Sequence, residues 1–370
     1  MKILFFSGDI TRNGGTERVA TIIANGLHDR GYDVSFLSMV EQAQKPVFDI
    51  DPAIKRITLS DKKTWIPPGP KALPLVGKLR RVLDEEKPDY LIDIDIVLDV
   101  LVSLADGFRK TKVISWEHLN CAFEQKYFYR KLIQKITVKK SDKIVVLTEA
   151  DRLMYQDIGT RPDKLIRIYN PMTTGFMADS MVQNKIKDFS SPIILTMGRL
   201  VEVKGIDYLC EVAPQILKKN PNVKWYFVGE GPLDVALMGA ARKHKLEDRL
   251  ILTGAVDDVM PYYEMATLLV MASRSEALPM VLLESRSYGV PMVAFDIATG
   301  PADLIDDDIN GKLIEFPNAS QMIDEINKML KDTDRLKRYS EACYNDCDKF
   351  RLDTILDQWE ELVFNSSEII

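Results

Sequence analysis

Cysteine is scarce in this chain and gives no basis for a disulfide framework or a zinc site. Four cysteines occur among 370 residues, and only Cys343 and Cys347 lie close together, at helical spacing. No histidine or further cysteine stands near them to complete a set of four ligands. We therefore interpret all four as reduced thiols, as is typical of a cytoplasmic protein.

Long apolar runs and an excess of positive charge are also lacking. The first apolar run, MKILFF, is followed by Asp9 and is too short for the core of a signal peptide. No stretch of about 20 apolar residues follows. The net charge is −6, from 55 acidic and 49 basic residues. Because there is no overall attraction to polyanions, we expect no nucleic-acid partner.

The glycines do not complete the fingerprint of a dinucleotide-binding site. Gly8, Gly14 and Gly15 follow the first apolar run without forming G-x-G-x-x-G, and Gly229 and Gly231 lack the third glycine. This argues against a nicotinamide-dependent dehydrogenase.

What the chain does contain is a regular alternation of apolar runs and helical patterns. The run at 2–7, a glycine loop, a helical pattern at 16–29 and the run VSFLSM make one strand–helix–strand unit, and similar apolar runs follow at 90–94, 112–115 and 144–147. The order predicts a parallel sheet with helices on both faces.

A second series of the same kind occupies the other half of the chain. Its strand candidates are PIILTMG, VKWYFVG, RLILTGA, TLLVMAS and PMVAFD. Helical patterns at 205–219, 232–245 and 279–288 separate most of them. The pattern is lost at 172–190, where we place a linker. We therefore expect two doubly wound, Rossmann-like α/β domains that face each other, since open sheets of this kind bind ligands at the carboxyl ends of their strands.

Two glutamates bracket seven apolar residues in SRSEALPMVLLES, residues 273–285. Glu276 falls in the loop after a predicted strand, and Pro279 suits the first turn of the helix that follows. Glu284 lies about a turn and a half into that helix. Each carboxylate can accept two or more hydrogen bonds, which matches neighbouring sugar hydroxyls. One could hold a sugar and the other the ribose of the same nucleotide sugar.

This stretch resembles the E-x7-E signature of the retaining glycosyltransferases of family 4, which have the two-domain GT-B fold and include enzymes of bacterial surface-polysaccharide synthesis. The resemblance extends over essentially the whole chain. The other matching segments, in order, are NGGTERV (13–19), SWEHLN (115–120), GRLVEVKG (198–205), FVGEGPL (227–233) and GPADLIDDDINGKLI (300–314). The resemblance implies an acceptor-binding domain at 1–175, a donor-binding domain at 190–345, and a helical segment at 346–370 that packs back toward the first domain.

The resemblance also implies roles for single residues. Glu276 would bind hydroxyls of the donor sugar and Glu284 the ribose, while Arg199 and Lys204 would clamp the diphosphate and stabilise the charge of the leaving group. His118 would sit beside the reacting sugar.

Further donor-binding positions follow from the same motifs. Gly14 and Gly15 would let the backbone approach phosphate or acceptor, and Gly229, Ala277 and Leu278 would line the donor site. Ala277 stands where many relatives have glycine, and its methyl group narrows the backbone conformations open to the loop.

The implied activity is transfer of a sugar from a nucleotide diphosphate sugar, a UDP-hexose or UDP-N-acetylhexosamine, to a glycan or lipid-linked glycan with formation of an α-glycosidic bond. No cofactor and no metal ion are expected. Asp93-Ile94-Asp95 has the form of a D-x-D metal motif but ends an apolar strand of the first half, which favours a structural role. The alternatives are another GT-B enzyme, such as an epimerase or a phosphorylase, and a non-catalytic nucleotide-sugar-binding protein.

One segment, residues 121–145, concentrates positive charge. It holds seven basic and two acidic residues, a net charge of +5. If it is helical, it carries an apolar stripe and a basic row only about 60° apart around the axis. These are Phe128, Leu132 and Ile136, and Lys131, Lys135 and Lys139. We expect this face to rest on anionic lipid at the inner face of the cell membrane. The alternative is a helix packed on the sheet with a solvated basic face.

Overall fold

The computed structural model describes residues 1–62, 72–105, 111–172 and 189–365. The chain divides into two compact units, of which the first combines Met1–Pro171 with Phe350–Ile370 and the second is Met172–Lys349. The linker predicted at 172–190 falls almost entirely outside the described residues.

The described part of the first unit contains a parallel sheet of seven strands. The strands are β1 Lys2–Ser7, β2 Asp33–Val40, β3 Lys55–Ser60, β4 Tyr90–Asp93, β5 Lys112–Trp116, β6 Lys143–Val146 and β7 Leu165–Arg167. The helices before the second unit are α1 Gly15–Asp29, α2 Leu73–Glu86, α3 Asp99–Ala105, α4 Cys121–Glu124, α5 Phe128–Lys140 and α6 Glu149–Asp157. The strand order is β3-β2-β1-β4-β5-β6-β7, so β1 lies inside the sheet. Ile3, Leu4, Phe5 and Phe6 of β1 are fully buried, as expected for a strand covered on both faces.

The described part of the second unit contains a parallel sheet of six strands. These strands are β8 Ile193–Met197, β9 Lys224–Val228, β10 Leu250–Gly254, β11 Leu268–Met271, β12 Met292–Asp296 and β13 Gly311–Glu315. Its helices are α7 Ile206–Lys219, α8 Asp234–His244, α9 Met260–Met265, α10 Met280–Ser287, α11 Pro301–Leu304, α12 Ala319–Lys331 and α13 Thr333–Ala342. The strand order is β10-β9-β8-β11-β12-β13. The prediction of two doubly wound α/β domains is confirmed.

The end of the chain returns to the first unit through α14 Leu352–Gln358 and a π-helix at Trp359–Phe364. Leu356 packs so closely on α1 that a Cβ at Gly26 would lie 2.6 Å from its Cδ1. The Arg30 guanidinium donates to Asp357 at 2.7 Å and to Glu360 at 2.6 Å. The expected packing of a C-terminal helix on the N-terminal domain is therefore confirmed.

Each sheet has one point at which the strand order changes direction. In the first unit this point lies between β1 and β4, and in the second between β8 and β11. In open α/β sheets, the crevice at the carboxyl ends of such a strand pair is where ligands bind. Within the described residues, no helix is both long and apolar enough to cross a membrane.

Candidate active site

A pocket lies at the carboxyl ends of β8 and β11, where the second sheet changes direction. Arg199 and Lys204 reach it from the loop after β8, and Glu276 reaches it from the loop after β11. Ser273 also lines it, with its side chain buried. The structure therefore brings together three of the residues that the sequence predicts for the site.

The central contact of the pocket is an ion pair. The Lys204 Nζ donates to Glu276 Oε1 at 2.7 Å and to Oε2 at 2.9 Å. The Lys204 side chain is 29% exposed and that of Glu276 11%. Arg199 is exposed at the same pocket. The arrangement offers cations to an anionic ligand and a carboxylate to a ligand that carries hydroxyl groups.

A glycine lets the two loops approach each other. Lys204 ends a short 3-10 helix, Glu202–Lys204, and Gly205 follows with φ +69°. A Cβ at Gly205 would lie 1.8 Å from the Ala272 carbonyl oxygen at the end of β11. Only a residue without a side chain permits this contact, and the contact places Lys204 opposite the loop that carries Glu276.

Arg274 connects the loop after β11 to the loop after β8, a role that was not predicted from the sequence. Its Nη1 donates to the Glu202 carbonyl at 2.6 Å and to Asp207 Oδ1 at 2.7 Å. The guanidinium lowers the pKa of Asp207 and lies 4.2 Å from the centre of the Tyr208 ring. On the far side, the Thr299 hydroxyl donates to the Glu276 carbonyl. The Glu276 loop is thus held from both sides.

Glu284 lies inside the second unit, on α10, and does not line the pocket. It is only 3% exposed, and its Oε2 accepts a hydrogen bond of 2.8 Å from the Tyr263 hydroxyl. The Tyr263 ring stacks on that of Tyr288 at 5.4 Å. The sequence predicted Pro279 in the first turn of α10. In the structure Pro279 instead precedes the helix, because its extended ψ of 108° is outside the helical range.

The remaining predicted donor residues of this unit have different environments. Gly229 has φ +137°, and a Cβ there would lie 2.0 Å from the Gly198 carbonyl oxygen, so this position requires glycine. Ala277 is half-buried and Leu278 is buried. Ala277 is not among the four non-glycine residues that have a positive φ in the described chain, so its methyl group causes no backbone strain.

Gly14, Gly15 and His118 belong to the first unit. Gly14 precedes α1, where a Cβ would meet Glu17 Oε2 at 2.3 Å, while Gly15 has open space around it. His118 follows β5 and packs against Trp116 with 4.3 Å between ring centres. Burial lowers the pKa of His118 to about 3, so its imidazole is neutral at pH 7. In the described part of the chain no group hydrogen-bonds to its Nε2.

The D-x-D segment is part of a buried polar network. Asp93 ends β4, and the Ser115 hydroxyl lies 3.2 Å from Asp93 Oδ2 and 2.8 Å from Asp99 Oδ1. Burial and the neighbouring Asp99 raise the pKa of Asp93 well above the ordinary value. Asp95 accepts a hydrogen bond from the Val97 amide at 3.1 Å. No cluster of three His, Cys, Asp or Glu side chains suited to a metal ion occurs in the described ranges.

Comparison with known proteins bears on both units. A family model described as "Glycosyl transferases group 1" matches residues 179–346, and one described as "Glycosyltransferase Family 4" matches residues 13–176. HepE of Anabaena, solved in complex with UDP, superposes with a TM-score of 0.79 at 20% identity, over 98% of this chain and 99% of HepE. This likeness concerns the fold, which is the GT-B fold.

Two relatives match along their full length. A glycosyltransferase of Haemophilus influenzae without a characterised function is 30% identical over 367 residues, covering 98% of this chain and 99% of the relative. The GalNAc-alpha-(1->4)-GalNAc-alpha-(1->3)-diNAcBac-PP-undecaprenol alpha-1,4-N-acetyl-D-galactosaminyltransferase of Campylobacter jejuni is 24% identical over 368 residues, covering 98% of each chain. The chain therefore belongs to the glycosyltransferases of the GT-B fold.

Proposed function

We propose that this glycosyltransferase is a retaining enzyme that moves a hexose or N-acetylhexosamine from UDP to a glycan or lipid-linked glycan, forming an α-glycosidic bond in polysaccharide biosynthesis. The observation that carries the proposal is the pocket between β8 and β11. There Arg199, Lys204 and Glu276 converge at the strand pair where open α/β sheets bind ligands.

The pocket suits a diphosphate joined to a sugar. Lys204 and Arg199 would contact the diphosphate oxygens, and Glu276 would accept hydrogen bonds from sugar hydroxyls once Lys204 turns toward phosphate. Glu284, buried deeper on α10, would accept the ribose hydroxyls in place of its present bond with Tyr263. Each role uses the charge or the hydrogen-bonding capacity that the side chain already has.

The reaction would take place on one face of the sugar. The bond between the anomeric carbon and the diphosphate oxygen breaks, and the acceptor oxygen forms its bond to the same face. The acceptor proton passes to the leaving phosphate, and UDP departs. The protein contributes position and positive charge, since Arg199 and Lys204 stabilise the negative charge that grows on the diphosphate. A divalent ion is then not required for this step.

The comparisons support the donor and the linkage. HepE has been solved with UDP, and the Campylobacter relative is named for forming an α linkage to N-acetylgalactosamine on a glycan carried by undecaprenol diphosphate. An α linkage is the product expected when an α-linked nucleotide sugar reacts with retention. We place the reaction on the cytoplasmic side of the membrane, where the protein would meet such an acceptor.

The test is release of UDP from a panel of UDP-sugars, with and without glycan acceptors. We expect one sugar to give acceptor-dependent UDP release, and that release to be lost in Lys204→Ala. Binding of a UDP-sugar without turnover on any acceptor would indicate a binding protein. Conversion of one UDP-sugar into another, without net release of UDP, would indicate an epimerase. Cleavage of a glycan that depends on phosphate would indicate a phosphorylase.

A further inference from the structure

The helix α5 is held on the first unit by a narrow face. Its buried residues are Ile133, Gln134 and Thr137. Two of these are polar and have specific partners: the Gln134 amide donates to Cys121 Sγ at 3.2 Å, and the Thr137 hydroxyl donates to Asp99. The third, Ile133, packs in a small apolar cluster. One large apolar residue and two hydrogen-bonded polar side chains therefore hold the helix in this orientation.

The other large apolar residues at the start of α5 lie at the surface. Phe128 is 86% exposed, the largest exposure recorded for a large hydrophobic side chain in the described residues. Tyr127, Tyr129 and Leu132 are 47%, 55% and 54% exposed. Isolated exposed apolar residues are ordinary, but four within six positions form an apolar patch. Such a patch is shielded from water only when a partner covers it.

Lysines flank this patch. Lys131, Lys135 and Lys139 are all exposed. At about 100° per residue, Phe128, Leu132, Lys135 and Lys139 fall within an arc of about 60°, roughly opposite the buried face. One surface of α5 is therefore both apolar and cationic. It belongs to a segment of net charge +5 in a chain of net charge −6, so the positive charge is local.

We propose that this surface, the α5 face, docks on an anionic lipid bilayer. It consists of Tyr127, Phe128, Tyr129 and Leu132 with Lys131, Lys135 and Lys139. Phe128 and Leu132 enter the boundary between headgroups and acyl chains, and the lysine stems extend past them to place ammonium groups at the lipid phosphates.

An anionic lipid surface matches the chemistry of this region. The exposed arc combines protruding apolar side chains with lysines, which is the combination that interfacial helices present to anionic membranes. Fluid lipid can surround a protruding phenylalanine while anionic headgroups contact the lysines on either side. This inference concerns lipid binding alone and does not depend on the proposed donor or acceptor.

The experiment is co-sedimentation of the full chain with vesicles of phosphatidylcholine, with and without phosphatidylglycerol, at low and high salt. We expect binding to the anionic vesicles that weakens as salt rises. Replacement of Lys131, Lys135 and Lys139 together by glutamate lowers the partition coefficient at least about 100-fold, because each basic residue near an anionic surface favours binding about fivefold.

The second unit offers a matched control for charge. Lys219, Arg242 and Lys243 are exposed at the ends of α7 and α8, and their replacement by glutamate changes the net charge by the same amount. Binding close to that of the unaltered chain is expected. Equal loss in the two triple variants would show a general charge effect and overturn the proposal.

The apolar contribution has its own pair of variants. We expect Phe128→Ser with Leu132→Ser to weaken binding to anionic vesicles, while Val235→Ser with Met238→Ser, at exposed positions of α8, leaves it unchanged. Circular dichroism checks that each variant is folded. Absence of vesicle binding, equal binding to neutral and anionic vesicles, or normal binding by the Phe128 and Leu132 variant would each overturn the proposed docking.

Discussion

Each sheet has a carboxylate near the point where its strand order changes direction, but the two carboxylates have opposite surroundings. Asp93 ends β4, the neighbour of β1, and Glu276 follows β11, the neighbour of β8. Both are therefore at the change of strand direction. Glu276 faces the ammonium group of Lys204 at 2.7 Å, whereas Asp93 shares the Ser115 hydroxyl with a second acid, Asp99.

The partner decides what each carboxylate can do. Glu276 is paired with Lys204 at a pocket, where ligand hydroxyls or phosphate can compete for the pair. Burial, together with the neighbouring acid Asp99, raises the pKa of Asp93 and favours the protonated form, which serves as an internal hydrogen-bonding group. Position at the sheet edge therefore does not by itself make a ligand site; a cation from the adjacent loop is also needed.

The largest expected effect comes from breaking the charged pair. We predict that Lys204→Ala and Glu276→Ala each lower UDP release at least about 100-fold at saturating donor, because each removes one preorganised charge at the reacting centre. The control is Lys328→Ala, which breaks a pair on the surface of α12 and is expected to be silent. Near-normal transfer by either pocket variant, with the fold intact by circular dichroism, would show that the pair is not at the reaction.

A smaller effect is expected from loosening the loop that carries Glu276. Arg274→Ala removes the contacts with Asp207 and the Glu202 carbonyl, so Glu276 loses its fixed position. We predict about a tenfold fall in turnover, since misplacement of a reacting group is costly even when the group is present. Asp207→Asn should lower turnover in the same direction, and Arg152→Ala, which breaks an exposed pair on α6, should not. Normal turnover in Arg274→Ala would mean that the anchor is dispensable.

For the buried acids, the comparison predicts a dependence of stability on pH. The folded pKa of Asp93 is raised, so its contribution to stability is fully present below the ordinary carboxyl pKa and is lost as pH rises through the folded value. Asp93→Asn replaces the carboxyl group by an amide that does not ionise. We therefore expect its free energy of unfolding, from urea titrations at pH 5 and pH 8, to fall less with rising pH than that of the unaltered protein.

The control for this prediction is Asp157→Asn, at an exposed position at the end of α6, which should leave the pH dependence unchanged. An identical fall in stability for Asp93→Asn and the unaltered chain would mean that Asp93 is already ionised in the folded state at pH 5.

The last prediction is that removal of divalent metal ions leaves the activity unchanged. If Arg199 and Lys204 supply the positive charge for the leaving group, transfer should proceed at an unchanged rate in EDTA. Loss of activity in EDTA that manganese restores would contradict this, and it would give Asp93 and Asp95 the metal-binding role that their buried hydrogen bonds argue against.

Much of the pocket was predictable because its residues lie next to strands that the sequence marks clearly. Lys204 and Glu276 each follow an apolar run, and the carboxyl ends of neighbouring parallel strands must meet. The anchor between Arg274 and Asp207 was not predictable, because its partners are 67 residues apart and nothing in the local pattern links them. The same is true of the contact between Tyr263 and Glu284, which depends on how α9 and α10 pack.

The orientation of α5 shows a second limit of pattern reasoning. Apolar spacing identifies the stripe of Phe128, Leu132 and Ile136 but does not say whether it faces the sheet or the solvent. In the structure Phe128 and Leu132 are exposed and Ile136 is half-buried. The buried side contains Ile133 together with Gln134 and Thr137, because each of the two polar residues has a buried partner that offsets the cost of desolvating it. Short strands such as β7, with three residues, also lie below what periodicity can detect.

The most direct test of retaining transfer is the anomeric configuration of the product, read from the coupling constant of its anomeric proton. The protein would be supplied with an α-linked UDP-sugar and a glycan acceptor, and the proton spectrum of the newly formed glycosidic bond would be recorded. The account predicts the small coupling of an α-gluco- or α-galacto-configured product. A large coupling, from a β-linked product, would contradict it, because the incoming hydroxyl would then have attacked the face opposite to the diphosphate.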